Sequence, residues 1–109
     1  MDERSLHRLI GTIIDPERLR DDCAVIPCGD LLMVASTDML HETTDFPAGM
    51  TDWQVGWMAV AVTLSDIASM GAAPGQVLFA VGLDKPERLL GIMVGARDCC
   101  MAFGAELIN

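Results

Sequence analysis

Between Trp53 and Leu83 the chain carries one charged side chain, Asp66. Its surroundings read as a helix opened by Thr51-Asp52-Trp53-Gln54, a capping box, and stopped at Gly71 ahead of Pro74. Asp66 therefore falls in the last helical turn, where the macrodipole is negative and a carboxylate is disfavoured by about 0.3–1 kcal/mol. A bound cation would reverse that sign; the alternative is a hydrated helix end with no role. A second gathering of acids follows from hairpin register. If Gly29-Asp30 is a two-residue turn, Cys28 pairs with Leu31, Asp22 faces Thr37, and Asp21 faces Asp38. Like charges so opposed destabilise a strand pair, and no lysine or arginine occurs from 21 to 38. Magnesium takes such carboxylate oxygens together with phosphate; the alternative is a frayed strand end with solvated acids.

The elements that must position these acids follow from periodicity. Residues 3 to 14 place Leu6, Leu9, Ile10, Ile13 and Ile14 at helical spacing, ended by Asp15-Pro16. Residues 22 to 28 and 31 to 38 are the hairpin strands, and 39 to 51 is a polar loop without periodicity. The helix from 53 to 70 has an apolar stripe of Trp53, Trp57, Val60, Leu64 and Ile67, with both tryptophans read as core. Residues 75 to 83 form a strand apolar on both faces, Pro86 opens a helix over 87 to 103 that Gly104 closes, and 105 to 109 begins another strand. This order predicts an α+β domain, 1 to 109. It has a mainly antiparallel four-stranded sheet, helices packed on one face, and the other face free for dimerisation. In the strand, Val77, Phe79, Val81 and Leu83 share one face, and Leu78 and Ala80 the other.

Composition narrows the function. Sixteen acids against seven bases give a formal charge of -9, which opposes binding to nucleic-acid backbones and to anionic membranes. No apolar run is long enough for a membrane span, and a cytoplasmic protein is expected. The four cysteines, Cys23, Cys28, Cys99 and Cys100, lack zinc-site spacing and read as reduced core residues. Neither GxxxxGK[ST] nor GxGxxG is present, so any nucleotide phosphate must be held through metals. His7 reads as a surface residue. His41 lies in the polar loop with Glu42 and Asp45, where a substrate contact and a plain surface position are both open.

Three segments carry a family resemblance: Asp21-Asp22-Cys23-Ala24-Val25, Ser36-Thr37-Asp38, and GWMAVAVTLSDIASMGA from Gly56 to Ala72. In order and spacing, over roughly residues 20 to 83, they resemble thiamine-monophosphate kinase. The wider superfamily includes aminoimidazole ribonucleotide synthetase. The resemblance implies transfer of the ATP γ-phosphoryl group to thiamine monophosphate, with Mg2+ bridging carboxylates and phosphates, in a homodimer. It also implies that Asp22, Ser36, Thr37, Asp38 and Asp66 are magnesium ligands. The family often has a substrate-contacting histidine where this chain has Asp45, and other departures are Arg20 for glycine and Thr63 for asparagine. The family continues past the position of Asn109 into a Gly-Gly-Asp segment bearing a further ligand, so an N-terminal piece that is inactive alone is expected. A related ATP-using enzyme with another acceptor, or a non-catalytic dimerisation or metal-binding domain, are the alternatives.

Overall fold

The computed structural model describes residues 2 to 21 and 23 to 109. Two compact units divide the chain, Met1–Ser36 and Thr37–Asn109. The first begins with α1, Glu3–Ile10, capped by the Asp2 carboxylate, which accepts from the Ser5 amide at 2.7 Å. α1 is shorter than the apolar spacing predicts. Beyond Ile10 the chain tightens into i→i+3 bonds, and the Thr12 hydroxyl donates to the Leu9 carbonyl at 2.7 Å in competition with helical continuation. A 3-10 turn, Pro16–Leu19, leads into the hairpin of β1, Ala24–Cys28, and β2, Leu31–Ala35.

The hairpin register is the expected one, but β2 ends at Ala35, so Thr37 and Asp38 lie beyond the strand expected over 31 to 38 and Asp21 is not paired with Asp38. Cys28 pairs with Leu31 across a turn in which Gly29 has φ 62°, and the antiparallel ladder runs back to Ala24 opposite Ala35. The turn thus fixes the pairing locally, because a type II′-like corner needs positive φ at its first central residue, where glycine stands, and not at the second, Asp30. No residue of α1 is buried, and Leu9, Ile13, Leu31 and Leu32 are all exposed.

In the second unit, the segment 39 to 51 is not wholly irregular, since Glu42–Asp45 forms a single helical turn, α2, capped by His41. Next comes α3, Asp52–Ser69, opened by the expected capping box: Thr51 Oγ1 accepts from the Gln54 amide, and Gln54 Oε1 from the Thr51 amide. β3, Gln76–Val77, is followed by a 3-10 turn at Pro86–Arg88, α4 at Leu89–Ala102, and β4 at Glu106–Leu107. Gly71 and Gly104 lie just past the ends of α3 and α4 with φ 71° and 75°, as expected.

An α+β architecture is observed, but not one four-stranded sheet. Among the described residues the strands form two separate pairs, β1 with β2 antiparallel and β3 with β4 parallel. The parallel pair has a physical cause. α4 occupies the connection from β3 to β4, and a helical crossover returns the chain in its starting direction. Its hydrogen bonds extend past the two-residue strands, from the Glu106 amide to the Gly75 carbonyl and from Ile108 to Val77. α3 and α4 cover one face of this pair around Val60, Val77, Ala96, Cys99 and Cys100. The regular strand is Gln76–Val77, not the expected 75 to 83, but exposure alternates along the segment as expected, with Val77 buried, Phe79 packed inward and Leu78 73% exposed.

The two helices meet backbone to backbone. A β-carbon on Gly56 would collide with the carbonyl of Ile92, and one on Gly95 with the carbonyl of Trp53. Trp53 departs from the core assignment. It is 40% exposed, its ring stacked on Trp57 at 5.1 Å and its Nε1 donating to Asp98 at 2.8 Å. Three cysteines are buried as expected, whereas Cys28, beside the hairpin turn, is exposed. Burial pushes the Cys99 and Cys100 thiols above their ordinary range, which keeps them protonated and unreactive. No helix among the described residues is long and apolar enough to cross a membrane.

Candidate active site

The residues expected to hold magnesium fall on both units. Ser36 ends the first, at the close of β2, and its Oγ is buried without a hydrogen-bond partner. A buried hydroxyl left unsatisfied costs about 1–3 kcal/mol, so an oxygen in that state is suited to a ligand that brings its own charge. Asp22 lies outside the described residues. In the second unit, Thr37 and Asp38 are exposed, and Asp66 is half-buried in the last turn of α3, as its position in the sequence predicts. The Ser69 hydroxyl donates to the Asp66 carbonyl at 2.6 Å, which tightens this helix end. Among the described residues, no group of three or more His, Cys, Asp or Glu side chains is arranged to hold a metal ion. The described donors, hydroxyl and carboxylate oxygens, are nevertheless of the kind that magnesium takes.

Asp45 and His41 are spent on their own turn. The His41 amide donates to Asp45 Oδ2, and the His41 ring nitrogen Nδ1 stands 2.9 Å from the Thr43 hydroxyl.

The sequence reading missed Arg88. Its guanidinium grips both oxygens of Glu42 at 2.8 and 3.0 Å, Asp52 Oδ1 at 2.9 Å, and Asp84 Oδ1 at 3.1 Å. These bonds hold the Glu42 and Asp84 carboxyls below their ordinary range, with hydrogen bonding to Arg88 as the main cause. The same contacts raise the pKa of Arg88. A signal was present, because Arg88 stands at the N-cap position of α4, where the macrodipole disfavours a cation. That is the argument applied to Asp66 with both signs inverted.

With this geometry in place, known proteins supply the context. The family model for the AIR synthase related protein, N-terminal domain, matches residues 20 to 109. The chain belongs to this family. Thiamine-monophosphate kinase of Methanospirillum hungatei is 56% identical over 107 residues, covering 96% of this chain and 37% of that protein. The enzyme of the same name from Halobacterium salinarum is 40% identical over 111 residues, covering 100% of this chain and 36% of its own. A solved structure, AaThiL complexed with AMPPCP and TMP, superposes with a TM-score of 0.84. It covers 97% of this chain and 35% of its own, at 23% identity, and so supports the fold. This member of the AIR synthase related family thus spans little more than a third of the length of the curated relatives it matches.

Proposed function

We propose that this domain is the N-terminal part of a magnesium-dependent kinase that phosphorylates thiamine monophosphate to thiamine diphosphate at the expense of ATP. The observation that carries the reading is the 56% identity to a thiamine-monophosphate kinase across nearly the whole chain. The complex of the fold neighbour with AMPPCP and TMP supports the same pair of substrates. From the site itself, the buried unpaired Ser36 Oγ is the feature a metal or phosphate contact explains.

In this reading Asp22, Ser36, Thr37, Asp38 and Asp66 hold magnesium, which would neutralise the phosphate charge that builds as the γ-phosphoryl group moves. An acceptor phosphate oxygen forms a bond to the γ-phosphorus while its bond to the β–γ bridging oxygen breaks, releasing ADP. The protein's share is positioning and exclusion of water, with no covalent intermediate. Asp45 is assigned to the acceptor contact. Its engagement with the His41 amide gives a specific reason to keep a different acceptor within the same superfamily as the second reading. Transfer of radiolabel from ATP decides between them. Label should reach thiamine monophosphate when the chain is joined to the remaining two-thirds of a relative, with the 109 residues alone giving background only. Transfer solely to an aminoimidazole precursor would overturn the thiamine assignment.

The working protein is proposed to be a cytoplasmic homodimer, formed through the sheet face that α3 and α4 leave uncovered. Leu78 marks that face, whereas Phe79 packs into the core and would unfold the domain if charged. Light scattering after size exclusion should give a dimer mass for the wild type and a folded monomer for Leu78→Asp. A monomer mass for the wild type at high micromolar concentration would exclude the dimer.

A further inference from the structure

A four-residue helix has few bonds of its own, here two backbone bonds and the exposed side-chain bonds that His41 and Asp45 make within the turn. Within α2 the stabilising backbone bonds are those from the Thr44 and Asp45 amides to the His41 carbonyl, at 3.2 and 2.8 Å. Helix nucleation fixes several dihedrals for each such bond, so an exposed single turn does not persist without an outside anchor. Glu42, its first residue, supplies one through the two-pronged bond to Arg88, a geometry in which the planar guanidinium fixes orientation as well as distance. Arg88 is itself held, with 18% of its side chain exposed, because Asp52 at the start of α3 accepts from its Nε and Asp84 ahead of the 3-10 turn accepts from Nη1, which it shares with Glu42. A rigid cation anchored to two long-lived elements therefore reaches out to a turn that would otherwise be disordered.

The geometry points to Arg88 as a positioning residue that orders the 41 to 46 turn and thereby presents Asp45 and His41 to the acceptor substrate. Only the acceptor clause rests on the kinase reading; the ordering stands on the contacts alone. Arg88 touches no substrate in this scheme, and its effect passes through Glu42. The half-buried Phe46 is the competing anchor, lying directly after the turn.

Glu42→Ala separates these cases, because Asp52 and Asp84 remain to hold Arg88 in place. NMR relaxation on the labelled protein should show order parameters at Thr43 to Asp45 falling from the rigid range, about 0.85, to below about 0.6. Values in α3 and α4 should stay unchanged, as they should throughout for Glu17→Ala, which removes an exposed pair with Arg20. Unchanged order at 43 to 45 overturns the clamp and leaves Phe46 and the turn's own side-chain bonds to hold it. In the active full-length protein, Glu42→Ala should raise KM for thiamine monophosphate roughly tenfold, about 1.4 kcal/mol, with KM for ATP unchanged. Loosening without that split overturns the positioning role. A wild type that phosphorylates no thiamine monophosphate would remove the kinase reading, while the relaxation result still decides the ordering.

Discussion

Gly56→Ala is expected to destabilise the second unit by about 3 kcal/mol or more, enough to lower Tm by roughly 12 °C or more in a domain of this size. Overpacking usually costs less because side chains can rotate away. Here the added carbon would meet the Ile92 carbonyl, and backbone in mid-helix has no rotamer to change. The helices would have to separate, opening the layer in which Val60, Ala96, Cys99 and Cys100 exclude water. Gly95→Ala should behave the same way, through the Trp53 carbonyl on the other side of the crossing. Gly82→Ala is the control, since nothing lies within 4 Å of its position, and it should shift stability by no more than about 0.5 kcal/mol. Thermal or urea denaturation of the three variants measures this. A melting curve for Gly56→Ala that overlays the wild type would show that the helices do not pack at this distance.

The sequence contained these two glycines but not their meaning, and the contrast with other elements shows what a pattern encodes. The hairpin register was legible because Gly29-Asp30 decides it within a few residues, and the start of α3 because Thr51 and Gln54 satisfy each other's backbone across one turn. The inward set Val77 and Phe79 was legible as a period-2 alternation. What failed was non-local. The parallel pairing of β3 with β4 depends on where α4 returns the chain, and Arg88 finds Glu42 and Asp52 at sequence separations of 46 and 36. Trp53 was assigned to the core from its stripe, yet it sits at the helix start, where its indole N–H reaches Asp98 at the surface. For the candidate site, the place of Asp66 in the last turn of α3 was legible from local signals, whereas Ser36, Thr37 and Asp38, expected in the second hairpin strand, lie past the end of β2 at Ala35, and Asp45, expected in an irregular loop, ends α2. Meeting of those residues is a matter of chain packing that no spacing rule supplies.

Asp66 offers the sharpest test of whether they act together. Asp66→Asn should weaken binding of magnesium with ADP at least tenfold, a loss of about 1.4 kcal/mol or more. The substitution keeps the size and one carbonyl oxygen of the side chain but removes the charge that a hard divalent cation requires. Helix electrostatics points the same way. A carboxylate at the negative end of α3 is tolerated at a cost of about 0.3–1 kcal/mol, and a bound cation turns that cost into a gain. Calorimetric titration of magnesium and ADP into both proteins reads the difference directly. Thermal melts read it again, since ligand at a hundred times its Kd adds about 2.7 kcal/mol to the wild type and correspondingly less to the variant. Asp30→Asn, the same change of charge in the hairpin turn, controls for a general loss of negative potential and should match the wild type. Indistinguishable titrations for Asp66→Asn and wild type would remove Asp66 from the metal site and leave it without a catalytic role.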